Sequence, residues 1–350
     1  MAGGVGSRFW PQSRNNYPKQ FIDILGIGKS LLQLTYDRFL KLTAPKYIHI
    51  ITNKQYRKLV KEQLPGVPDE NILCEPSRNN TAPCIAYATF KLAAMDGNAN
   101  MVIAPADHFI LYEDVFISKV EHALEVAAIN NYLLTLGITP TRADTGYGYI
   151  RYDKQDVNGI HKVKQFTEKP DFRKATEFLN SGEYLWNGGI FIWNVQTALE
   201  AFAIYEPEMF SLFEKGNSVY NTKGEQEFID REYVNTPNIS IDYSILEKAI
   251  NVYTLPANFG WSDLGTWASL YEIAEKKENS NVYGDAMLHL QDTDNSIIHL
   301  PSGKLGVIKG LKDYIVVDVH DVLLIFPKGD EQEIKKVTEV LKTQNRINFL

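Results

Sequence analysis

Through the first half of the chain, continuous apolar runs of strand length alternate with stretches whose apolar residues recur at helical spacing. "YIHIIT" precedes the helix-like "KQYRKLVKEQL", the helical "NTAPCIAYATFKLAAM" precedes the strand "NMVIAPADH", and "DVFISKVEHALEVAAI" leads into "YLLTLGI". Strands separated by helices predict an α/β fold with a mostly parallel sheet covered on both faces, in which ligands gather at the carboxyl ends of strands. The middle of the chain changes character. "GYGYIRYD" and "VKQFTEKP" predict paired strands, either an insertion facing the sheet edge or an extension of it, and "GGIFIWN" returns to the buried-strand pattern. From about Asn281 short β runs broken by Gly, Asp and Asn, "SIIHL", "LGVIKG", "YIVVDV" and "DVLLIFP", predict a small β domain. The closing "DEQEIKKVTEVLK" puts Ile334, Val337 and Leu341 on one helix face, a stripe for packing onto a domain surface. The expected division is a large domain over 1–280 and a small one over 281–350.

Composition narrows the class. With 350 residues, 44% hydrophobic and 23% charged, the chain has the make-up of an ordinary soluble globular protein. A net charge of −7 argues against nonspecific binding to nucleic acid or anionic membrane, both of which reward a basic surface. No apolar run reaches membrane-spanning length and no signal-peptide core opens the chain, so the cytoplasm is the expected location. Cys74 and Cys84 show no C-x-x-C spacing and read as reduced thiols; the seven histidines show no metal-binding spacing.

The candidate chemistry starts at "MAGGVGSRFWPQSRNNYPKQF". Gly3, Gly4 and Gly6 omit the side chains that keep a ligand from backbone N–H groups, and Arg8, Arg14 and Lys19 add positive charge. That suits a phosphate; a glycine-rich disordered terminus is the alternative. Phe9 breaks the G-x-G-x-x-G fingerprint, and Asp23 stands where a Walker loop ending at Gly28-Lys29-Ser30 needs glycine, so that stretch reads as a turn with Ser30 capping a helix. Asp107, after the break at Pro105, can hold a metal or cap a turn. Asp263, ahead of "TWASLYEIA", can hold a metal or cap that helix. As a pair beside a phosphate loop they suit Mg²⁺-assisted phosphoryl or nucleotidyl transfer. Gly146 and Gly148 flank Tyr147, Glu168 adjoins Lys169, and Asn187 precedes two glycines. Singly these read as a hairpin turn, a solvated charge pair and a loop; together they describe a pocket for a phosphorylated sugar.

In order, "AGGVGSRFWPQSRNNYPKQF", "EPSRNNTAP", "PADH", "TGYGYI", "FTEKP", "WNGGIF" and "WSDLGTW" resemble the mannose-1-phosphate guanylyltransferases, a branch of the sugar nucleotidylyltransferase family, through nearly the whole chain. The resemblance implies a Rossmann-like, GT-A-like catalytic domain and a C-terminal domain of left-handed β-helix type. It implies that Gly3, Gly4, Gly6 and Ser7 wrap the GTP phosphates, with Arg8 and Lys19 neutralising the departing pyrophosphate. Asp107 and Asp263 would hold Mg²⁺. Glu75, Arg78, Asn79 and Thr81 would lie near guanine and ribose, while Gly148, Glu168, Lys169 and Asn187 would bind mannose 1-phosphate. The rivals are transfer from another nucleoside triphosphate or to another sugar 1-phosphate, and a non-catalytic subunit that binds sugar nucleotides. A homo-oligomer, in the simplest case a dimer, is expected. Longer relatives carry a fused isomerase domain, and the chain's end at Leu350 sets the expectation of no isomerase activity. The family's buried strand before the glycine loop is expected upstream of Met1.

Overall fold

In the computed structural model, which describes residues 1–284, 286–319 and 321–350, the chain divides into two units. The first is built from Met1–Gly3, Tyr36–Pro105 and Ile110–Trp261, the second from Gly4–Thr35, Ala106–Phe109 and Ser262–Leu350.

In the first unit, β1 (Ile50–Asn53) and β2 (Ile72–Glu75) form a parallel pair. Strands β3 (Asn100–Ile103), β4 (Leu133–Ile138), β5 (Gly148–Val157), β6 (Ile160–Glu168), β7 (Tyr184–Asn194) and β8 (Val252–Ala257) form one sheet in the order β3-β7-β4-β8-β6-β5. This corrects the expectation of a mostly parallel sheet. Only β4 and β8 are parallel neighbours, and every other neighbouring pair is antiparallel. Strands β3, β4 and β8 do share one direction, as helical crossovers between them require. However, β7 enters between β3 and β4 running the opposite way, and the β5–β6 hairpin extends the far side. An unbroken apolar run reports burial on both faces and carries no information on direction.

The double coverage is visible residue by residue in β7. Ile190 and Ile192 join one core with Phe116 and Val120 of helix α2 (Glu113–Ile129), while Phe191 and Trp193 join another with Ile85 and Phe90 of helix α1 (Thr81–Met95). This is the period-two alternation of a strand. Chain residues 1 and 2 also make ladder-like bonds: the Met1 ammonium donates to the Ala104 carbonyl at 2.8 Å and the Ala2 N–H to that of Ile51 at 2.7 Å.

The second unit has its own core, in which Phe9, Leu31, Trp267, Ile297, Ile315 and Ile334 are buried. Ser30 caps the helix Leu31–Leu40 as expected, its hydroxyl accepting the Gln33 N–H at 3.2 Å. The C-terminal runs become β9 (Val282–Tyr283), β10 (Met287–Gln291), β11 (Ile297–His299), β12 (Leu305–Lys309), β13 (Tyr314–Val319) and β14 (Val322–Pro327). Parallel partners β10 and β12 pair Met287 with Leu305, and β11 and β13 pair Ile297 with Ile315, each eighteen residues apart. Strand β14 then turns back antiparallel to β13. The last α-helix, Ile334–Thr343, lays its predicted stripe on this core, with Ile334 fully buried and Val337 and Leu341 partly so. Among the described residues no helix is long and apolar enough to cross a membrane.

A buried polar network in the first unit sets a pH response. Lys91 pairs with Glu225 at 2.7 Å, and Tyr87 donates to the same carboxylate at 2.6 Å. Burial, with Lys91 nearby, pushes His49 down from 6.5 to about 4, Glu225 opposing in part. The unfolded chain therefore takes this proton near 6.5 and the folded chain does not until about 4. Stability should fall as pH drops through that window, by at most about 1.4 kcal/mol per pH unit from this one group. Urea unfolding from pH 7 to pH 4 should show a shallower decline for His49→Gln than for the wild type; parallel curves would remove His49 as the cause.

Candidate active site

The glycine loop of the second unit is bent around a buried lysine. Gly6 has φ 69°, and a Cβ there would lie 2.6 Å from the Lys19 Cβ and 3.3 Å from the Ser13 Oγ, so the position accepts only glycine. Lys19 is 3% exposed. A buried ammonium is costly unless paired and hydrogen-bonded. Its Nζ donates to Asp107 Oδ2 at 2.8 Å, to the Asp263 carbonyl at 2.8 Å and to the Leu264 carbonyl at 3.0 Å. An ammonium has three protons, and each finds an acceptor. One cation thereby gathers both predicted metal-binding aspartates, one through its carboxylate and the other through its backbone.

Burial alone would raise the Asp107 carboxyl, but Lys19, with His108 adding to it, outweighs that and holds it below the usual carboxylate range. Asp263 curls its carboxylate over its own loop, Oδ1 accepting the Gly265 N–H at 2.8 Å. The following helix α3 (Trp267–Ile273) is capped by Thr266 in a reciprocal box with Ser269, so helix capping is not the task of Asp263. Across the same helix start, Glu331 accepts the Ala268 N–H at 2.7 Å. Burial pushes the Glu331 carboxyl up, and the bond from Ala268 and the nearby Arg8 charge oppose this. Among the described residues no three His, Cys, Asp or Glu form a metal cage. Two carboxylates, with substrate phosphates and water completing the shell, are a donor set that fits Mg²⁺.

Glu75, Arg78, Asn79 and Thr81 fall in the first unit. Glu75 lies beneath Gly3, where an added Cβ would meet its Oε2 at 3.4 Å. It is buried and accepts the Tyr233 hydroxyl. Burial pushes its carboxyl up, against the bonds from Tyr233 and the Cys84 thiol. Asn79 donates to the Thr236 carbonyl at 3.0 Å and hydroxyl at 2.9 Å, and the Thr81 Oγ1 accepts the Ile241 N–H at 2.9 Å. These three side chains brace the segment in which they sit. Arg78 is the exposed one, its guanidinium 5.4 Å above the Tyr56 ring.

The predicted sugar residues of the same unit converge. Register pairs Gly148 with Glu168, and a Cβ on Gly148 would collide with Glu168 Oε2 and touch the Asn187 Cβ at 3.4 Å. Lys169 donates to the other Glu168 oxygen at 2.6 Å and is well exposed. Asn187 accepts the Gly189 N–H at 3.1 Å and donates to Asp242 Oδ1 at 2.7 Å. Sequence reasoning missed Asp242, which "ISIDYS" presents as one more polar residue; only the fold brings it to Asn187. Burial pushes the Asp242 carboxyl up, the Asn187 bond opposes this, and the Glu168 charge adds to it.

These features suit phosphate handling in one unit and hydroxyl recognition in the other; comparison with known proteins identifies the family. A model of the nucleotidyl transferase family matches residues 1–280. The chain is 37% identical over 355 residues to mannose-1-phosphate guanylyltransferase RfbM of Salmonella typhimurium, covering 100% of this chain and 73% of that protein. It is 37% identical over 357 residues to mannose-1-phosphate guanylyltransferase of Escherichia coli K12, covering 99% and 73%. The crystal structure of mannose-1-phosphate geranyltransferase from Thermus thermophilus superposes with a TM-score of 0.87 at 29% identity, over 98% of both chains. The chain belongs to the nucleotidyl transferase family and, within it, to the mannose-1-phosphate guanylyltransferases.

Asp263→Asn keeps an oxygen for the Gly265 N–H and leaves the Thr266 cap intact, so it isolates the carboxylate charge. Turnover should fall roughly 100-fold or more with an unchanged melting temperature. Near-normal turnover in a steady-state pyrophosphate assay would exclude Asp263 as a metal ligand.

Proposed function

We propose that the chain transfers the guanylyl group of GTP to α-D-mannose 1-phosphate, giving GDP-mannose and pyrophosphate. The observation that carries this reading is the 37% identity, across the whole chain, to two proteins named mannose-1-phosphate guanylyltransferase. A sugar phosphate has a second pKa of about 6 and is mostly dianionic at pH 7, so it attacks without a catalytic base. Its phosphate oxygen forms a bond to the α-phosphorus of GTP in line. The bond from that phosphorus to the bridging oxygen breaks, and its electron pair leaves with pyrophosphate.

Each side chain then has a part. Gly3, Gly4, Gly6 and Ser7 offer backbone N–H groups to the triphosphate, Arg8 meets the departing pyrophosphate, and Lys19 adds positive charge beneath the loop. Asp107 and Asp263 would hold Mg²⁺, which when bound neutralises phosphate charge. Arg78, with Glu75, Asn79 and Thr81 behind it, serves the nucleoside. Gly148, Glu168 and Asn187 receive the mannose ring, and Lys169 its phosphate. Residues 1–280 form the catalytic domain, and the eighteen-residue register of β10 with β12 and of β11 with β13 supports a short left-handed β-helix in 281–350. A homodimer is the proposed assembly.

Pyrophosphate release with Mg²⁺, crossing four nucleoside triphosphates against mannose 1-phosphate and glucose 1-phosphate, tests the reading. GTP with mannose 1-phosphate should dominate. Preference for a non-guanine triphosphate would overturn the substrate assignment, and silence across the panel would favour a non-catalytic sugar-nucleotide-binding subunit.

A further inference from the structure

The polar side chains around Asn187 fix the orientation of its amide. Its Oδ1 faces the Gly189 N–H at 3.1 Å and its Nδ2 faces Asp242 Oδ1 at 2.7 Å. The flipped amide would set oxygen against a carboxylate and a donor against a donor, so one orientation alone satisfies both neighbours. In that orientation one amide N–H and one carbonyl lone pair remain unclaimed among the described residues. Glu168, whose carboxylate covers Gly148, stands beside the same side chain.

Asp242 opens a π-helical turn, Asp242–Leu246, a backbone form that recurs at functional positions. The segment leading into it is anchored on the neighbouring loop: the Ile241 N–H donates to Thr81 Oγ1 at 2.9 Å, and the Ile239 carbonyl accepts the Ala82 N–H at 3.1 Å. The position of Asp242 is therefore set by backbone bonds made outside the pair it forms. A half-buried carboxylate with Glu168 close by is unfavourable for folding, and burial, with that charge adding to it, pushes its carboxyl up. Core packing gives no reason to retain such a group, whereas orienting Asn187 does.

Resting on the function proposed above, we infer that Asp242 is a positioning residue for the sugar 1-phosphate: it locks the Asn187 amide so that its free N–H and carbonyl, together with the Glu168 carboxylate, meet the ring hydroxyls of a hexose in one fixed donor and acceptor pattern. Buried groups that hydrogen-bond a hydroxyl discriminate strongly, because a poorly matched ring leaves them unpaired.

The test is Asp242→Asn, in which two facing amides no longer fix each other. KM for mannose 1-phosphate should rise roughly tenfold while KM for GTP stays within roughly twofold, and the preference over glucose 1-phosphate should narrow. Asp242→Glu, which keeps the acceptor, should recover part of the loss and carries the same comparison if Asp242→Asn does not fold. In an Asn187→Ala background the Asp242 change should add little, because the group it orients is gone. Equal rises in both KM values, or additive effects in that cycle, would overturn the inference. A wild-type enzyme that ignores mannose 1-phosphate would instead overturn the proposed function; an active wild type with an unaltered Asp242→Asn variant would remove only the role of Asp242.

Discussion

The second unit depends on one buried ammonium. A buried ammonium is costly unless paired, and Lys19 finds three acceptors in the Asp107 carboxylate and the carbonyls of Asp263 and Leu264. Three segments distant in sequence are thereby tied to the same atom. Gly6 passes directly over the lysine stem because no Cβ obstructs it, which fixes the loop that carries Arg8. The cation that closes this arrangement also outweighs burial and holds the Asp107 carboxyl below its ordinary range.

Carboxylates elsewhere show the contrast. Asp107 lies next to a cation and is held down, whereas buried Glu75, beside neutral donors, and half-buried Asp242, with the Glu168 charge nearby, are pushed up. Asn79 and Thr81, spending their hydrogen bonds on Thr236 and Ile241, brace the segment that ends in Asp242.

What was legible in the sequence was local. The Ser30 cap and the stripe of Ile334, Val337 and Leu341 each follow from a few adjacent residues. The direction of β7 was not legible, because a run such as "GGIFIWN" looks the same pointing either way and its place between β3 and β4 is decided by pairing across the chain. Asp263 read equally well as a helix cap; the Thr266 and Ser269 box, three residues on, was the available signal that the cap lies elsewhere. Asp242 had no signal at all, since its meaning comes from Asn187, 55 positions away in sequence.

The most direct test of Lys19 as the organising group is to remove its charge and follow folding together with turnover. For Lys19→Met, leaving Asp107 unpaired and two carbonyls unsatisfied, the expected cost is about 3–5 kcal/mol, seen as a fall of several degrees in melting temperature alongside lost pyrophosphate release. A variant that melts like the wild type and has lost only turnover would contradict this account, because Lys19 would then act on the substrate alone and the loop would be held by something else.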